Sequence, residues 1–188
     1  MSMNWNATIL KAAALAVQHH DGQRRKITDL PYVIHPLRVA KIVSEVELAA
    51  DISREKCIVA AILHDMLEDT HVEPETLARE FGQEIMTIVF DLTLDLGIPR
   101  AERIRKMLER APKMTKEAQI VKLADRLDNM RDMGGRDPAF IKRYCEEASQ
   151  IVRKLQGACP SIEAEIQKLI EQYSKPALLK ARKPGPAA

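Results

Sequence analysis

Apolar residues recur along this chain at intervals of three and four, which is the spacing of α-helices. No segment shows a sustained alternation of apolar and polar positions rich in β-branched residues, so the pattern predicts no β-sheet. Prolines and glycines divide the chain into helical segments. The predicted helices cover Asn6–His20, a segment that begins at Pro36, Ile52–Met66, Glu75–Glu80, Gln83–Asp95, Arg100–Arg110, Lys116–Asp132, Pro138–Leu155 and Ser161–Tyr173. We therefore expect an all-α bundle of about eight to nine helices.

The segment Ile52–Met66 is expected to be the buried helix of this bundle. Asp51 is in a position to cap its start, and the run Cys57–Leu63 is apolar on every side of a helix. The other boundary of interest lies near the C-terminus. Residues 175–188 contain three prolines and four basic residues but no acidic residue. We expect one domain over residues 1–174 and a flexible basic tail over residues 175–188.

Composition limits the kind of protein this is. The 188 residues include 29 Lys and Arg against 27 Asp and Glu, a net charge of +2, which argues against a nucleic-acid partner. The longest apolar run has seven residues, and a membrane span needs roughly 20, so no membrane partner is expected. Three widely spaced cysteines fit neither a disulfide framework nor a zinc site. The prediction is a cytoplasmic protein in which Cys57 and Cys145 are core residues.

The most unusual segment follows the apolar run directly. His64, Asp65, Glu68 and Asp69 place four ionisable side chains within six positions. Buried charges are costly unless they are paired or bound to a metal ion, and an adjacent His and Asp can offer a nitrogen and an oxygen to a divalent cation. The alternative is an acidic helix end that reaches solvent, with His64 only hydrogen-bonded.

Three further segments carry candidate chemistry. Asp125 lies at the margin of an apolar helical stripe, with Asn129 one turn later on the same face, where a salt-bridged structural aspartate is the alternative. His35 stands before Pro36 in a position like a helix cap, and suits either a metal ligand or a simple cap. The basic run Arg24–Lys26 suits a phosphate-bearing ligand or a solvated surface.

In this order the segments resemble the HD-domain phosphohydrolase superfamily, whose H…HD…D signature is matched by His35, His64-Asp65 and Asp125. The surrounding motifs are similar to the hydrolase domain of the RelA/SpoT family, and the chain resembles a stand-alone small alarmone hydrolase. These motifs are His20-x-Gly22-Gln23-x-Arg25-Lys26, Pro31-Tyr32-x-x-His35-Pro36, His64-Asp65-x-x-Glu68-Asp69-Thr70, Phe81-Gly82 and Lys122-Leu-Ala-Asp125-Arg-Leu-x-Asn129.

The resemblance implies a single HD-domain helical bundle and a (p)ppGpp 3′-pyrophosphohydrolase that uses one Mn²⁺. A set of two imidazoles and two carboxylates would also suit Fe²⁺ or Zn²⁺. The implied partner is a small nucleotide, and the oligomeric state is left open. The resemblance assigns metal binding to His35, His64, Asp65 and Asp125, water activation to Glu68 and Asp69, and substrate binding to Arg25, Lys26, Asn129 and Tyr144.

Two departures from the family pattern bear on the substrate. Leu96 stands where the resembling proteins carry a lysine available to phosphate, and the loop 27–30 lacks their usual glycine. A related HD-domain phosphatase acting on an adenosine alarmone, NADPH or a nucleoside monophosphate is therefore the alternative enzyme. A nucleotide-binding regulator without catalysis is a third possibility. The residues able to replace the lysine charge are Arg100, Arg103, Lys142 and Arg143.

Overall fold

The computed structural model describes residues 4–95 and 97–175, and most of this part of the chain is helical. One isolated antiparallel bridge, between Arg24 and Pro31, is the only extended pairing in the described ranges. The all-α prediction is confirmed. In chain order the helices are α1 (Trp5–His19), α2 (Ile34–Glu45), α3 (Arg54–Leu63), α4 (Met66–Asp69), α5 (Pro74–Phe81), α6 (Gln83–Leu92), α7 (Arg100–Arg110), a 3₁₀ turn (Ala111–Lys113), α8 (Lys116–Arg131), α9 (Pro138–Lys154) and α10 (Pro160–Tyr173).

Helices α3 and α8 lie at the centre of the bundle. Helix α3 packs against α1, α2, α6 and α8, while α8 also contacts α2, α9 and α10. In α3 the apolar run is buried along almost its whole length, as the sequence predicts. The Arg54 guanidinium, at the start of α3, donates from Nη1 to the carbonyl oxygens of Val43, Ser44 and Val46. These carbonyls belong to the last turn of α2 and to the residue that caps it, so the side chain of Arg54 links the end of α2 to the start of α3.

The start of α3 differs from the prediction in its capping residue. Ser53, and not Asp51, is the N-cap, because its side chain accepts a hydrogen bond from Lys56 N at 3.2 Å. Asp51 instead accepts from Lys116 Nζ at 2.5 Å, at the start of α8. The sequence offers two suitable capping residues two positions apart, and the long-range partner decides between them.

The end of α3 differs more, because the predicted single helix is interrupted. Helix α3 ends at Leu63, His64 and Asp65 form a turn, and α4 resumes at Met66. The Asp65 carbonyl accepts from Glu68 N at 3.2 Å and from Asp69 N at 2.9 Å, so it starts the new helix. The break turns the side chains of His64 and Asp65 into the bundle. Helix α6 also ends early, at Leu92 rather than Asp95.

Three smaller predictions concern the cysteines, a membrane span and the C-terminal tail. Cys57 and Cys145 are free and buried, as predicted, and Cys159 is free and buried as well. Among the described helices none has both the length and the apolar character needed to cross a membrane. Of the predicted basic tail, residues 176–188 lie outside the described residues.

The central position of α3 leads to a stability prediction. Replacing Leu63, whose side chain is fully buried, with Ala is expected to lower the free energy of unfolding by about 2–5 kcal/mol, because it leaves a cavity in the core. The matched control is Leu10→Ala, since Leu10 is 71% exposed, and its effect should stay within about 0.5 kcal/mol. Urea denaturation measures both. Equal effects of the two substitutions would contradict the central position of α3.

Candidate active site

Four side chains predicted as metal ligands meet between α2, α8 and the α3–α4 break. His35 lies in the first turn of α2, and Asp125 lies in the middle of α8. The Nε2 atom of His35 is 3.3 Å from Asp125 Oδ1 and 3.7 Å from Asp65 Oδ2. The Nε2 atom of His64 is 3.1 Å from Asp65 Oδ2 and 3.9 Å from Asp125 Oδ1. Residues distant in sequence therefore present two nitrogens and two oxygens to one small volume.

His35 does not occupy the cap-like position that the sequence suggests. Val33 occupies the N-cap position, and His35 is already helical. Pro36 is accommodated there because amide groups in the first turn of a helix need no partner from the preceding turn. The helical start gives the imidazole a fixed position in the interior, where it is 1% exposed.

Both imidazoles are oriented by a hydrogen bond at Nδ1. His35 Nδ1 lies 2.7 Å from Asp128 Oδ2, and His64 Nδ1 lies 2.8 Å from the Ala61 carbonyl oxygen. In each ring the Nδ1–H donates to that oxygen, which directs Nε2 at the cluster. The buried Nε2 of His64 has no hydrogen-bond partner among the described residues. Metal-binding histidines are held in this way by carboxylates and carbonyls.

The charges of the cluster also suit a cation. Burial alone would lower the pKa of His35, but hydrogen bonds to Asp125 and Asp128 and the charge of Asp65 raise it to about 9. Burial opposes ionisation of Asp125, yet Lys122 and the two histidines hold its pKa well below the usual value. The group therefore favours ionised carboxylates with positive charge beside them. Its chemistry fits a divalent metal ion, and ligand atoms of His35, His64 and Asp125 lie within 4.8 Å of one another.

The two predicted catalytic carboxylates border this cluster on α4. Glu68 Oε1 accepts from Leu94 N at 2.7 Å, which anchors one carboxylate oxygen and leaves Oε2 to accept a proton. The Tyr32 hydroxyl lies 2.6 Å from Asp65 Oδ2 and 3.1 Å from Asp69 Oδ2. Its single proton can serve only one of these oxygens at a time. Tyr32 therefore connects the metal cluster to Asp69.

Burial changes the acidity of both carboxylates. It raises the pKa of Glu68 to about 7, with Asp65 adding to the effect and Lys122 opposing it. It also raises the pKa of Asp69, again with a contribution from the charge of Asp65. A carboxylate with a pKa near neutrality is suited to accept a proton from water. Both residues line a cavity of about 230 Å³ together with the cluster.

A larger cavity of about 550 Å³ lies beside the first. Arg25 is its central cation, and its guanidinium donates to Asp132 Oδ2 from Nε at 3.3 Å and from Nη2 at 3.1 Å. Nη2 also donates to Asn129 Oδ1 at 3.1 Å. Asp132 further accepts from Arg38 Nη1, at 3.2 Å. The guanidinium carbon of Arg25 lies 5.9 Å from the centre of the Tyr32 ring.

The other predicted substrate contacts also line these cavities. Lys26 is exposed at the wall of the larger one. The loop lacking the family's glycine reaches a positive φ of 53° at Asp29, whose carboxylate pairs with Arg24 at 2.8 Å. Aspartate tolerates this conformation better than most residues. The two cavities adjoin, because both are lined by Tyr32, Asp69, Asn129 and Tyr144.

Sequence reasoning missed several residues of this site. Asp128 orients His35, yet it was only an unassigned position within a motif, although it lies three residues after Asp125 on a buried helix. Tyr32 belongs to the motif around His35, but the motif predicts no role for it. The smaller cavity is also lined by Arg100 and Arg103, two of the four cations proposed as replacements for a lysine. Leu96, the position of that departure, lies outside the described residues.

Comparison with known proteins places this arrangement in a family. A family model described as HD domain matches residues 12–158. The chain is 37% identical, over 90% of its own length and 96% of the relative's, to guanosine-3′,5′-bis(diphosphate) 3′-pyrophosphohydrolase MESH1 of Danio rerio. The protein of the same name from Homo sapiens is 36% identical over 88% of this chain and 94% of that one.

A solved structure gives the same result for the fold. It is described as a metazoan ortholog of SpoT that hydrolyzes ppGpp and plays a role in starvation responses. Its TM-score is 0.81 at 32% identity, with 89% of this chain and 96% of that chain covered. With a family model that spans most of the chain and relatives of nearly equal length, this chain belongs to the HD-domain family, within its RelA/SpoT-type branch.

Proposed function

We propose that this protein is a (p)ppGpp 3′-pyrophosphohydrolase that depends on a divalent metal ion, with Mn²⁺ as the metal. The observation that carries the proposal is the convergence of two imidazole Nε2 atoms with the carboxylates of Asp65 and Asp125. The proposed ligands are His35, His64, Asp65 and Asp125. The relatives of nearly equal length are named for this activity.

The proposed reaction needs a water molecule and a neutralised diphosphate. A divalent cation lowers the pKa of a water molecule that it binds and offsets charge on phosphate oxygens. In the proposal Glu68 accepts the proton of the attacking water, because its pKa of about 7 lets it be ionised and still bind a proton. Asp69, which lines the same cavity as Glu68, positions that water. The water oxygen bonds to the phosphorus carried on the 3′-oxygen, the bond to the 3′-oxygen breaks, and that oxygen takes up a proton.

The two adjoining cavities suit the two parts of such a substrate. The larger one has the size of a small-molecule site, and we assign the nucleoside to it. Arg25 would contact its base and Lys26 its 5′-phosphates, with Asn129 and Tyr144 at the ribose. The smaller cavity is lined by His35, Asp65, Asp125 and Glu68. The 3′-diphosphate would enter it across the shared wall.

The first prediction concerns the metal ligands. Asp65→Asn is expected to lower pyrophosphate release from ppGpp by at least about 100-fold, because it removes a charged ligand and not merely a supporting group. Chelation should have the same effect on the wild type, and adding back Mn²⁺ should reverse it. The matched control is Asp21→Asn, since Asp21 is exposed. Release of orthophosphate in place of pyrophosphate would favour the alternative phosphatase, and turnover that survives chelation would exclude the metal.

The second prediction concerns the residue that orients His35. Asp128→Asn should weaken Mn²⁺ binding by about 10- to 100-fold, the usual effect of losing such a support. Isothermal titration calorimetry of the metal-stripped protein with Mn²⁺ measures the affinity. An unchanged affinity would show that Asp128 has only a structural role.

The third prediction concerns pH. Since Glu68 must be ionised to accept a proton and its pKa is raised to about 7, kcat/KM should fall as the pH drops through its pKa. A bound cation lowers that pKa, so the acidic limb is expected at or below about pH 7. Glu68→Gln, which can still accept from Leu94 N, should lower kcat by about 100-fold or more. A variant with wild-type kcat would rule out Glu68 as the proton acceptor.

A further inference from the structure

The smaller cavity is lined by several cationic side chains as well as by the acidic cluster. Four basic residues line it, on α7 and α8, and none of them lines the larger cavity. Such a concentration of positive charge beside a metal site is suited to phosphate oxygens, which arginine binds through two parallel N–H groups. The four residues are Arg100, Arg103, Lys122 and Arg126.

Two of these cations are already neutralised by acidic residues. Lys122 Nζ donates to Asp125 Oδ2 at 3.1 Å. Arg100 binds the buried carboxylate of Glu147 through both terminal nitrogens, with Nη2 at 2.7 Å from Oε2. These contacts position the two side chains but satisfy much of their charge.

Arg103 and Arg126, in contrast, have buried nitrogen atoms without hydrogen-bond partners among the described residues. Across the described ranges Arg103 forms no ion pair, and its buried Nε has no hydrogen-bond partner. Arg126 is 6% exposed, and its Nε and Nη1 also lack hydrogen-bond partners there. Its guanidinium carbon lies 4.2 Å from the centre of the Tyr144 ring, and Nη1 is 3.9 Å from Glu147 Oε2. Buried N–H groups without acceptors are costly, and the positive charge of both guanidinium groups makes an anionic ligand a suitable acceptor for them.

We infer that Arg103, assisted by Arg126, binds the distal phosphate of the substrate's 3′-diphosphate. The inference rests on the proposed function and extends it to the recognition of the leaving pyrophosphate. The phosphorus under attack has to lie next to Glu68 and the metal cluster. The nucleoside occupies the larger cavity, so the second phosphate extends to the remaining side, where the two arginines lie. Arg103 thereby supplies a positive charge that Leu96 cannot.

The test compares two arginines of the same helix. Arg103→Gln removes the proposed contact, whereas Arg105→Gln is the control, because Arg105 is 58% exposed and pairs with Glu109. In the Mn²⁺-loaded full chain, Arg103→Gln should lower kcat/KM for ppGpp by about 10- to 100-fold, the usual effect of losing charge-assisted hydrogen bonds. It should weaken inhibition by pyrophosphate to the same extent and leave inhibition by GDP within about twofold.

The other outcomes are equally decisive. Equal losses for pyrophosphate and GDP, or no loss for pyrophosphate, would overturn the inference, since a structural defect does not distinguish the two products. Arg103→Lys keeps the charge and should recover part of the pyrophosphate affinity, and it serves as the test if the Gln variant does not fold. If the wild type releases no pyrophosphate from ppGpp, the proposed function fails. Direct calorimetry of pyrophosphate binding then still tests Arg103 by itself.

Discussion

The carboxylates of Asp65 and Asp125 lie inside the helical bundle, and much of the structure serves to balance their charge. A buried ion is tolerated only where partners replace the water it has lost. Lys122 and the two histidines supply these partners, and Asp128 holds one of the histidines in place. Helix α3 ends at Leu63, directly before His64 and Asp65, so the interruption of the backbone coincides with the buried charges.

The charge of the molecule is balanced overall and separated locally. The net charge of +2 argues against a long polyanionic partner, but it conceals an acidic cluster with cations on two sides. Arg25 and Lys26 lie in one cavity and Arg103 and Arg126 in the next. A short, highly phosphorylated molecule needs cations only where its phosphates lie, so a near-neutral chain is compatible with such a ligand.

The helices and the candidate ligands could be predicted from the sequence because both depend on local patterns. Apolar spacing located the nine predicted helical segments, and the H…HD…D order pointed to the four residues that the fold brings together. The interruption at His64 and Asp65 was not predictable in this way, since the segment contains no proline or glycine to mark a break. Contacts between distant segments were also missed. Asp128 with His35 and Glu147 with Arg100 are pairs that only the packing of α8 and α9 against their neighbours creates.

The hydrogen bonds of Arg25 have a consequence for selectivity. Its guanidinium is already engaged by Asp132 and Asn129, and Asp132 is held in turn by Arg38. An anion approaching these nitrogens has to displace a carboxylate that is fixed from two sides. The ion pair therefore sets an energetic threshold for any ligand that binds Arg25 through these nitrogens, because the contacts it forms must replace those of Asp132 and Asn129.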